Sequence, residues 1–415
     1  IETAEVKKAT QVRYLGGVKS PILPEVKKSD KVTVLEDEDD WMKVATADGY
    51  VGYIKTKSLK NQKKEKTSRD FTEPVYSDMT EDHSINMAWH NVTNAAANNA
   101  VQQVLASTSG LTTIAPTWFS LADTEGNISS IADADYVNYA HTAGLEVWAV
   151  FRDFHGGTNS YDETYETLRY TSKRAKLEDQ VVAAAVAAGV DGINLDFELI
   201  SSKCGVHYVQ LVRELSVKCH QNNLVFSVDN YVPQSYNSHY DLKEQGIVAD
   251  YVVIMAYDEH TEGSYEAGSV ASISYLQDGI EKTLKKVSAD KVIAGIPFFT
   301  RLWFETAKSP EQLSEEAGTE AASYPNKVSS KALGMEEAAQ SVVNAGATAQ
   351  WDEKTQQNYA KWSADGGTYR IWLEDAQSLE AKLKVIQGNK LAGVAEWSLG
   401  REESSVWKLI SQYVN

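Results

Sequence analysis

The sequence predicts an α/β fold: a (β/α)8 TIM barrel with a small α+β insertion after strand 7, preceded by a small all-β barrel. Three observations lead to this prediction. Eight strand-like segments alternate with helix-like segments over about 330 residues. About 90 residues separate the seventh strand from the last, where one short helix would suffice. Residues 1–60 read instead as short strands and turns.

The N-terminal segment contains four strand candidates, at 11–15, 31–35, 41–44 and 50–54, separated by Gly, Asp and Pro. Its order, with D-x-W-x-x-V at 39–44 followed by DGYVGYI at 48–54, resembles bacterial SH3-like domains. The resemblance implies that residues 1–60 tether an enzyme to cell-wall peptidoglycan. A β-cap without any ligand stays open as the alternative, because a fold does not by itself give a function.

Residues 61–70 are rich in Lys and hold no apolar side chain, which predicts a solvated linker rather than a binding site. A catalytic domain is expected to occupy 71–415. Its predicted barrel strands are 85–89, 112–116, 146–151, 192–198, 225–228, 251–257, 292–297 and 392–397. Helix-like segments include 167–188, 208–221 and a closing 405–414, and the insertion is predicted at about 302–372.

The segment 191–198 carries the chemistry. On a strand, alternate side chains point to opposite faces, so one face here is apolar while Asn194, Asp196 and Glu198 line the other. Neighbouring carboxyl groups in a low dielectric cannot all be ionised cheaply, so one should hold a proton and act as a general acid near neutral pH. This is the chemistry of glycoside cleavage. The plainer alternative is that these acids cap turns or pair with Lys.

The spacing Asp191-x-x-Asn194-x-Asp196-x-Glu198 resembles the Asp-x-x-Asp-x-Asp-x-Glu pattern of glycoside hydrolase family 18, which lies on the fourth barrel strand of that family. One position departs, since Asn194 stands where the second Asp is usual. Asn194 cannot titrate, so it can hydrogen-bond Asp196 but cannot share a proton with it. The spore-cortex-lytic branch of the family is similar in using Asn there. Asn194 therefore bears on which branch of the family this chain resembles more than on whether it is active.

The resemblance implies catalytic roles for Glu198, Asp196 and Tyr257. In family 18 the N-acetyl carbonyl of the substrate attacks the anomeric carbon, an exception to the two-carboxylate scheme. Glu198 would protonate the leaving oxygen, Asp196 would orient the acetamido group, and Tyr257 would hold its carbonyl. Configuration would be retained. The substrate would then bear a 2-acetamido group, as chitin, peptidoglycan and N-glycan cores do.

Further candidates come from the strand ends, because the C-terminal ends of barrel strands face the active site. The family places a Trp under the sugar whose bond is cut, and Trp397 matches it. Arg301 lies in a segment similar to the spore-cortex branch and could bind sugar oxygens or pair with an acid of the insertion. The predicted substrate-binding residues are Asn194, Trp397, Asp258, Trp89, Trp118, Tyr231 and Arg301.

The net charge of −18 disfavours nucleic acid as a partner. Residues 1–70 hold 15 basic and 12 acidic residues, so they carry +3 and the remainder carries −21. His90, His155 and His260 have no metal-ligand spacing, and neither a metal nor a cofactor is predicted. The helical segment between Cys204 and Cys219 would span about 22 Å, beyond the reach of a disulfide.

The sequence contains no run of 18 apolar residues, so no membrane span is expected. Because residue 1 is Ile rather than Met, a signal or anchor is expected to have been removed from an extracellular or cell-envelope protein. Unpaired cysteines are more typical of the cytosol. We expect a monomer that cuts peptidoglycan or spore cortex after N-acetylglucosamine. A chitinase and a catalytically silent glycan-binding protein of the same fold stay open as alternatives.

Overall fold

The computed structural model describes residues 1–68 and 77–414. The chain divides into two compact units, Ile1–Val75 and Tyr76–Asn415. Each unit has its own hydrophobic core.

The N-terminal unit is a seven-stranded antiparallel sheet. Its strands are Glu2–Val6, Thr10–Arg13, Ile22–Val26, Lys31–Glu38, Trp41–Ala45, Val51–Lys55 and Leu59–Lys64. In space they follow the order third, second, sixth, fifth, fourth, first, seventh. Alternate side chains, among them Val12, Val32, Val44 and Ile54, form one buried cluster, as the period of a strand requires.

The predicted linker at 61–70 begins too early. Leu59–Lys64 is a strand that pairs antiparallel with Glu2–Val6 at the edge of the sheet. The side chains of 61–64 are exposed, which explains why their polar pattern resembles a linker although the backbone is paired. Lysines on an edge strand also discourage pairing with other chains. Residues 69 and 70 lie outside the described residues.

The second unit is the predicted barrel, and this prediction is confirmed. Its eight parallel strands, here called barrel strands 1 to 8, are Ile85–His90, Thr113–Pro116, Glu146–Arg152, Gly192–Asp196, Val225–Tyr231, Tyr251–Met255, Val292–Pro297 and Gly393–Trp397. The ring closes because barrel strand 8 pairs with strand 1 and strand 2 pairs with strand 3. A hairpin of Phe119–Leu121 and Ile128–Ser130 adjoins strand 3.

Helices cover the outside of the barrel. They are Val101–Leu105, Ala134–Thr142, Tyr161–Leu168, Thr171–Ala188, Gly205–Gln221, Leu242–Val248, Ile273–Leu284, Ala376–Gly388 and Val406–Val414. Side chains that accept backbone N–H groups, such as those of Asp133, Ser160 and Ser272, begin several of them. Gly189, with a φ of 77°, ends Thr171–Ala188. One apolar cluster lies between strands and helices and another fills the barrel interior.

The insertion follows barrel strand 7, as predicted. It is an antiparallel sheet of Phe299–Ala307, Asn326–Gly334, Gln350–Asp352, Gln357–Ala364 and Gly367–Leu373, with helices Pro310–Glu315 and Met335–Asn344. Leu333, Val342 and Ile371 belong to a separate small core. The insertion is therefore a small α+β body with its own packing.

Candidate active site

A cavity opens at the C-terminal ends of the barrel strands. Its wall consists of Trp89, Thr117, Arg152, Phe154, Asp196, Glu198, Asp229, Tyr231, Met255, Tyr257, Asp258 and Trp397. All four carboxyl groups of this described wall come from barrel strands 4 to 6 or the residues directly after them. Strands 8 and 1 contribute indole rings instead. The cavity therefore has one acidic side and one aromatic side.

Barrel strand 4 was predicted to end at residue 198, but it ends at Asp196. Glu198 therefore lies just beyond the strand. The backbone leaves the sheet because the N–H groups of Glu198 and Leu199 donate to the Asp153 carboxylate, at 2.9 and 3.0 Å. The Tyr231 hydroxyl donates to Glu198 Oε2, and the Tyr240 hydroxyl donates to the Glu198 carbonyl at 3.1 Å. Three neighbours thus hold the backbone and the carboxyl group of Glu198.

The protonation of Glu198 follows from this environment. Burial raises its pKa, the hydrogen bond from Tyr231 opposes that rise, and the charge of Asp258 adds to it. The net direction is upward. Glu198 therefore keeps a proton to higher pH than an exposed Glu and is suited to act as a general acid.

Asp196 is the least satisfied carboxyl group of the site. Its Oδ1 is buried and has no hydrogen-bond partner among the described residues. Burial raises the pKa of Asp196 well above its ordinary value, and Glu198, Asp229 and Asp153 raise it further, whereas Arg152 lowers it. These surroundings favour the protonated form of Asp196 and leave one of its oxygens free at the cavity wall.

Asn194 was predicted to bind substrate, but it is fully buried one layer deeper in the barrel and is not part of the cavity wall. Its carbonyl oxygen accepts from Trp89 Nε1 at 3.0 Å. Its amide nitrogen donates to Ser227 Oγ at 2.9 Å and to Asp229 Oδ1 at 2.7 Å. These partners lie on barrel strand 5, next to strand 4, and on barrel strand 1 across the interior, and Asp196 is not among them. Asn194 orients the groups beneath the cavity.

Two acids of the site, Asp229 and Asp153, were missed in the sequence. Burial, opposed by the hydrogen bond from Asn194, raises the pKa of Asp229 to about 8, and its Oδ2 has no partner in the described part of the chain. Burial likewise raises the pKa of Asp153 to about 7, although three donors contact it. Their position at the ends of barrel strands 5 and 3 was the available signal.

Five further residues that were predicted for the site lie at the cavity wall: Trp89, Tyr231, Tyr257, Asp258 and Trp397. Trp397, Trp89 and Tyr257 form an aromatic group, with Trp89 ring centroids 6.0 Å from Trp397 and 6.5 Å from Tyr257. Barrel strand 6 ends at Met255, and Asp258, with a φ of 58°, turns the chain after Tyr257. Tyr231 and Asp258 also line the cavity.

Trp118 and Arg301 do not line the described cavity wall. Trp118 packs outward into the layer between strands and helices, where its Nε1 donates to Asn98 Oδ1 at 2.8 Å. Arg301 donates to Ser330 Oγ of the insertion at 3.0 Å and lies close enough to Asp258 to lower the pKa of that carboxyl group. The partner of Arg301 in the insertion is thus a serine hydroxyl rather than an acid, and binding of sugar oxygens by Arg301 stays a prediction.

Within residues 1–68 and 77–414, no group of three or more His, Cys, Asp or Glu side chains is arranged to hold a metal ion. The described helices include none that is both long and apolar enough to cross a membrane.

Two relatives from Bacillus subtilis (strain 168) are similar in sequence. The uncharacterized glycosylase YvbX is 26% identical over 295 residues, which are 69% of this chain and 80% of YvbX. The cortical fragment-lytic enzyme is 27% identical over 256 residues, 59% of this chain and 54% of that enzyme. This chain thus spans about half the length of the second relative.

The fold is that of solved glycosidases. The crystal structure of the chitinase from Chromobacterium violaceum ATCC 12472 superimposes with a TM-score of 0.66 at 21% identity, covering 79% of this chain and 98% of that one. The family model for glycosyl hydrolases family 18 matches residues 88–402, and the model for the bacterial SH3 domain matches residues 11–60. Both resemblances read from the sequence are confirmed: the chain belongs to glycosyl hydrolase family 18, is a glycoside hydrolase, and carries a bacterial SH3 domain before its barrel.

Proposed function

We propose that this enzyme cleaves β-1,4 bonds after N-acetylglucosamine by a retaining, substrate-assisted route, and that its natural substrate is peptidoglycan or spore cortex. The observation that carries the mechanism is the one-sided placement of the acids. Every carboxyl group of the described wall comes from barrel strands 4 to 6 or from the residues directly after them, and barrel strands 1 and 8 supply Trp89 and Trp397.

A two-carboxylate displacement needs a nucleophile on the face of the sugar opposite the acid. Because the acids of the described wall are on one side, none of them is placed to attack from the opposite face. The nucleophile is then the acetamido oxygen of the substrate itself. Glu198 protonates the leaving oxygen, and the acetamido oxygen attacks the anomeric carbon. Water then opens the cyclic intermediate with Glu198 as the base, which gives net retention.

The other catalytic roles follow from the contacts. Asp196 has a buried oxygen without a recorded partner, available to accept the acetamido N–H and to stabilise the developing positive charge. Burial raises the pKa of Tyr257 well above its ordinary value, so its hydroxyl stays protonated. It can therefore donate a hydrogen bond to the acetamido carbonyl. Trp397 and Trp89 supply flat rings for the apolar face of the sugar.

The choice of peptidoglycan rests on the kind of relatives and on the SH3 domain. One relative acts on cortical fragments, as its name states. Chitin contains the same acetamido group, so a chitinase is the second candidate, and the solved chitinase of the same fold favours it. Digesting peptidoglycan, spore cortex and chitin in parallel separates the two. N-acetylglucosamine at the new reducing ends of peptidoglycan supports the proposal, and muramic acid there contradicts it.

The variant Glu198→Gln tests whether Glu198 is the general acid. This variant keeps the shape but removes the proton, so turnover should fall by about 100-fold or more while oligosaccharide binding is nearly intact. Near-normal turnover would rule out Glu198. Asp162→Asn, at an exposed acid on the helix after barrel strand 3, is the control expected to leave turnover unchanged.

A thiazoline analogue of cyclised N-acetylglucosamine tests the route. It should inhibit the enzyme, because it mimics the cyclic intermediate. Substrates without the N-acetyl group should not turn over. A covalent glycosyl adduct on Asp196, or efficient cleavage of a deacetylated substrate, would overturn the mechanism.

The proposal includes attachment to the cell envelope through the SH3 domain. Deleting residues 1–66 removes all seven strands of the N-terminal sheet and should weaken sedimentation with insoluble walls. Turnover of small soluble oligosaccharides should be spared. If the isolated domain and the isolated barrel sediment equally poorly with walls, the tether is excluded.

A further inference from the structure

Arg152 is the one cationic side chain among the described residues of the cavity wall, which otherwise holds Asp196, Glu198, Asp229 and Asp258. It ends barrel strand 3 and lies beside Asp196 in the parallel register. Phe154 of the same wall is 5.7 Å from its guanidinium. Arg152 therefore brings a positive charge into a cavity whose wall holds four carboxyl groups.

No hydrogen bond or ion pair of the Arg152 side chain is found within the described ranges, and its Nε is buried without a partner. Two other arginines of the barrel unit have ion pairs: Arg174 contacts Glu214 at 2.8 Å and Arg370 contacts Glu305 at 2.6 Å. Burial lowers the pKa of Arg152, as expected for a cation that has lost water without gaining full compensation. A guanidinium in this state is ready to bind a carboxylate with its planar fork.

Arg152 does not act merely as the counter-ion of Asp196. The pKa of Asp196 stays raised in spite of Arg152, so the cation offsets only part of the effect of burial and of the neighbouring acids. The two side chains share no recorded hydrogen bond. The guanidinium is left free for a group that enters the cavity with the substrate.

Substrate chemistry supplies such a group. The oxygen that Glu198 protonates is O4 of the sugar on the leaving side. In chitin, the neighbouring O3 of that sugar is a neutral hydroxyl. In muramic acid, O3 carries a lactyl ether whose carboxylate is free or is extended by a peptide that ends in a carboxylate. An anion then enters a cavity in which it loses water, and an unpaired guanidinium can compensate for that loss.

We propose that Arg152 binds the carboxylate on the O3 substituent of the leaving-side sugar and thereby selects muramic-acid-containing glycan over chitin. This inference rests on the proposed function. It makes Arg152 a specificity-determining residue, distinct from the groups that transfer the proton and hold the acetamido group.

The test uses three oligosaccharides of equal length that alternate N-acetylglucosamine and muramic acid. The first has free lactyl carboxylates, the second has alanine on each lactyl group, and the third has primary lactyl amides and no charge there. The readout is the ratio of kcat/KM for each anionic chain to kcat/KM for the amide chain. It is compared between the full-length wild type, Arg152→Gln, Arg152→Lys and the surface control Arg169→Gln, whose arginine pairs with Glu166.

Arg152→Gln should lower the ratio for at least one anionic chain by about 10-fold to 100-fold, as expected for lost hydrogen bonds to a charged group. Arg152→Lys keeps the charge without the fork and should retain part of the preference. Arg169→Gln should match the wild type. The chain that loses its preference identifies the source, which is either the lactyl carboxylate or the carboxylate of the attached peptide.

An unchanged ratio in Arg152→Gln overturns the inference, and so does an equal loss on anionic and neutral chains, since Arg152 would then act through Asp196. If Arg152→Gln does not fold, a wild-type ratio in Arg152→Lys together with a salt-independent ratio in the wild type overturns it as well. A wild-type enzyme that cleaves none of the three chains instead contradicts the proposed function, before any variant is made.

Discussion

Buried carboxyl groups at two places in the second unit differ in whether their oxygens have hydrogen-bond or ion-pair partners. Glu374, directly after the last strand of the insertion, is paired with Lys382 at 2.7 Å, and both side chains are 1% exposed. Gln357 and Ser378 donate to it as well, at 2.6 and 2.9 Å. At the cavity, Asp196 and Asp229 each have a buried oxygen for which the described residues offer no partner.

The paired cluster has a structural role, and the unpaired acids of the cavity have a catalytic one. The cluster around Glu374 connects a strand of the insertion, through Gln357, with the barrel helix that carries Lys382, so its paired charges hold two elements together. The cavity leaves acids unpaired, which destabilises the fold but raises their pKa values into the range of catalysis.

The largest expected effect comes from Lys382→Met. Removing the cation leaves Glu374 as a buried uncompensated charge, which should cost about 3–5 kcal/mol of stability. Denaturant unfolding of the variant measures this loss. Adding Glu374→Gln to Lys382→Met should restore most of it, because the neutral amide still accepts from Gln357. A loss below about 1 kcal/mol in the single variant would mean that the pair is not needed.

A smaller effect is expected for Asp153→Asn. Asp153 accepts N–H groups from Glu198 and Leu199 and the hydroxyl of Thr164, so an amide nitrogen would face one of these donors. We expect a loss of about 1–3 kcal/mol of stability. A displaced Glu198 should lower kcat by about 10-fold to 100-fold with little change in KM. A change in KM alone would contradict the positioning role.

A pH-dependent effect of opposite sign is expected for Asp229→Asn. The folded pKa of Asp229 is about 8, above the unfolded value of about 3.9. Its contribution to stability is thus fully present below the unfolded pKa and is lost as the pH rises towards 8. The Asn variant escapes that loss, so its stability relative to wild type should rise between pH 5 and pH 8.

The melting temperatures of Asp229→Asn and wild type at the two pH values check this sign. Asp82→Asn, at a fully exposed acid, should show no such difference. A greater advantage at pH 5 than at pH 8 would contradict the raised pKa of Asp229. Activity should fall in Asp229→Asn, because stability and catalysis oppose each other at such a site.

The sequence by itself determined the barrel, the insertion and the acidic end of barrel strand 4, because each is a local pattern. Strand alternation, turn residues and the spacing of Asn194, Asp196 and Glu198 can be read from consecutive positions. The same reading placed Tyr257 and Trp397 at strand ends that face one cavity. It also indicated the N-terminal β-module, although exposed side chains concealed its last strand.

Only the tertiary structure decided which partner each polar group has. Asp153 and Asp229 join Glu198 and Asn194 because parallel strands that are distant in sequence lie side by side in the barrel. Trp118 follows a barrel strand like the others but packs outward, and Arg152 enters the cavity without a described partner. Burial and pairing depend on what all eight strands bring to one place, and this is why the pKa values and the free cation of the site follow from the fold rather than from any local pattern.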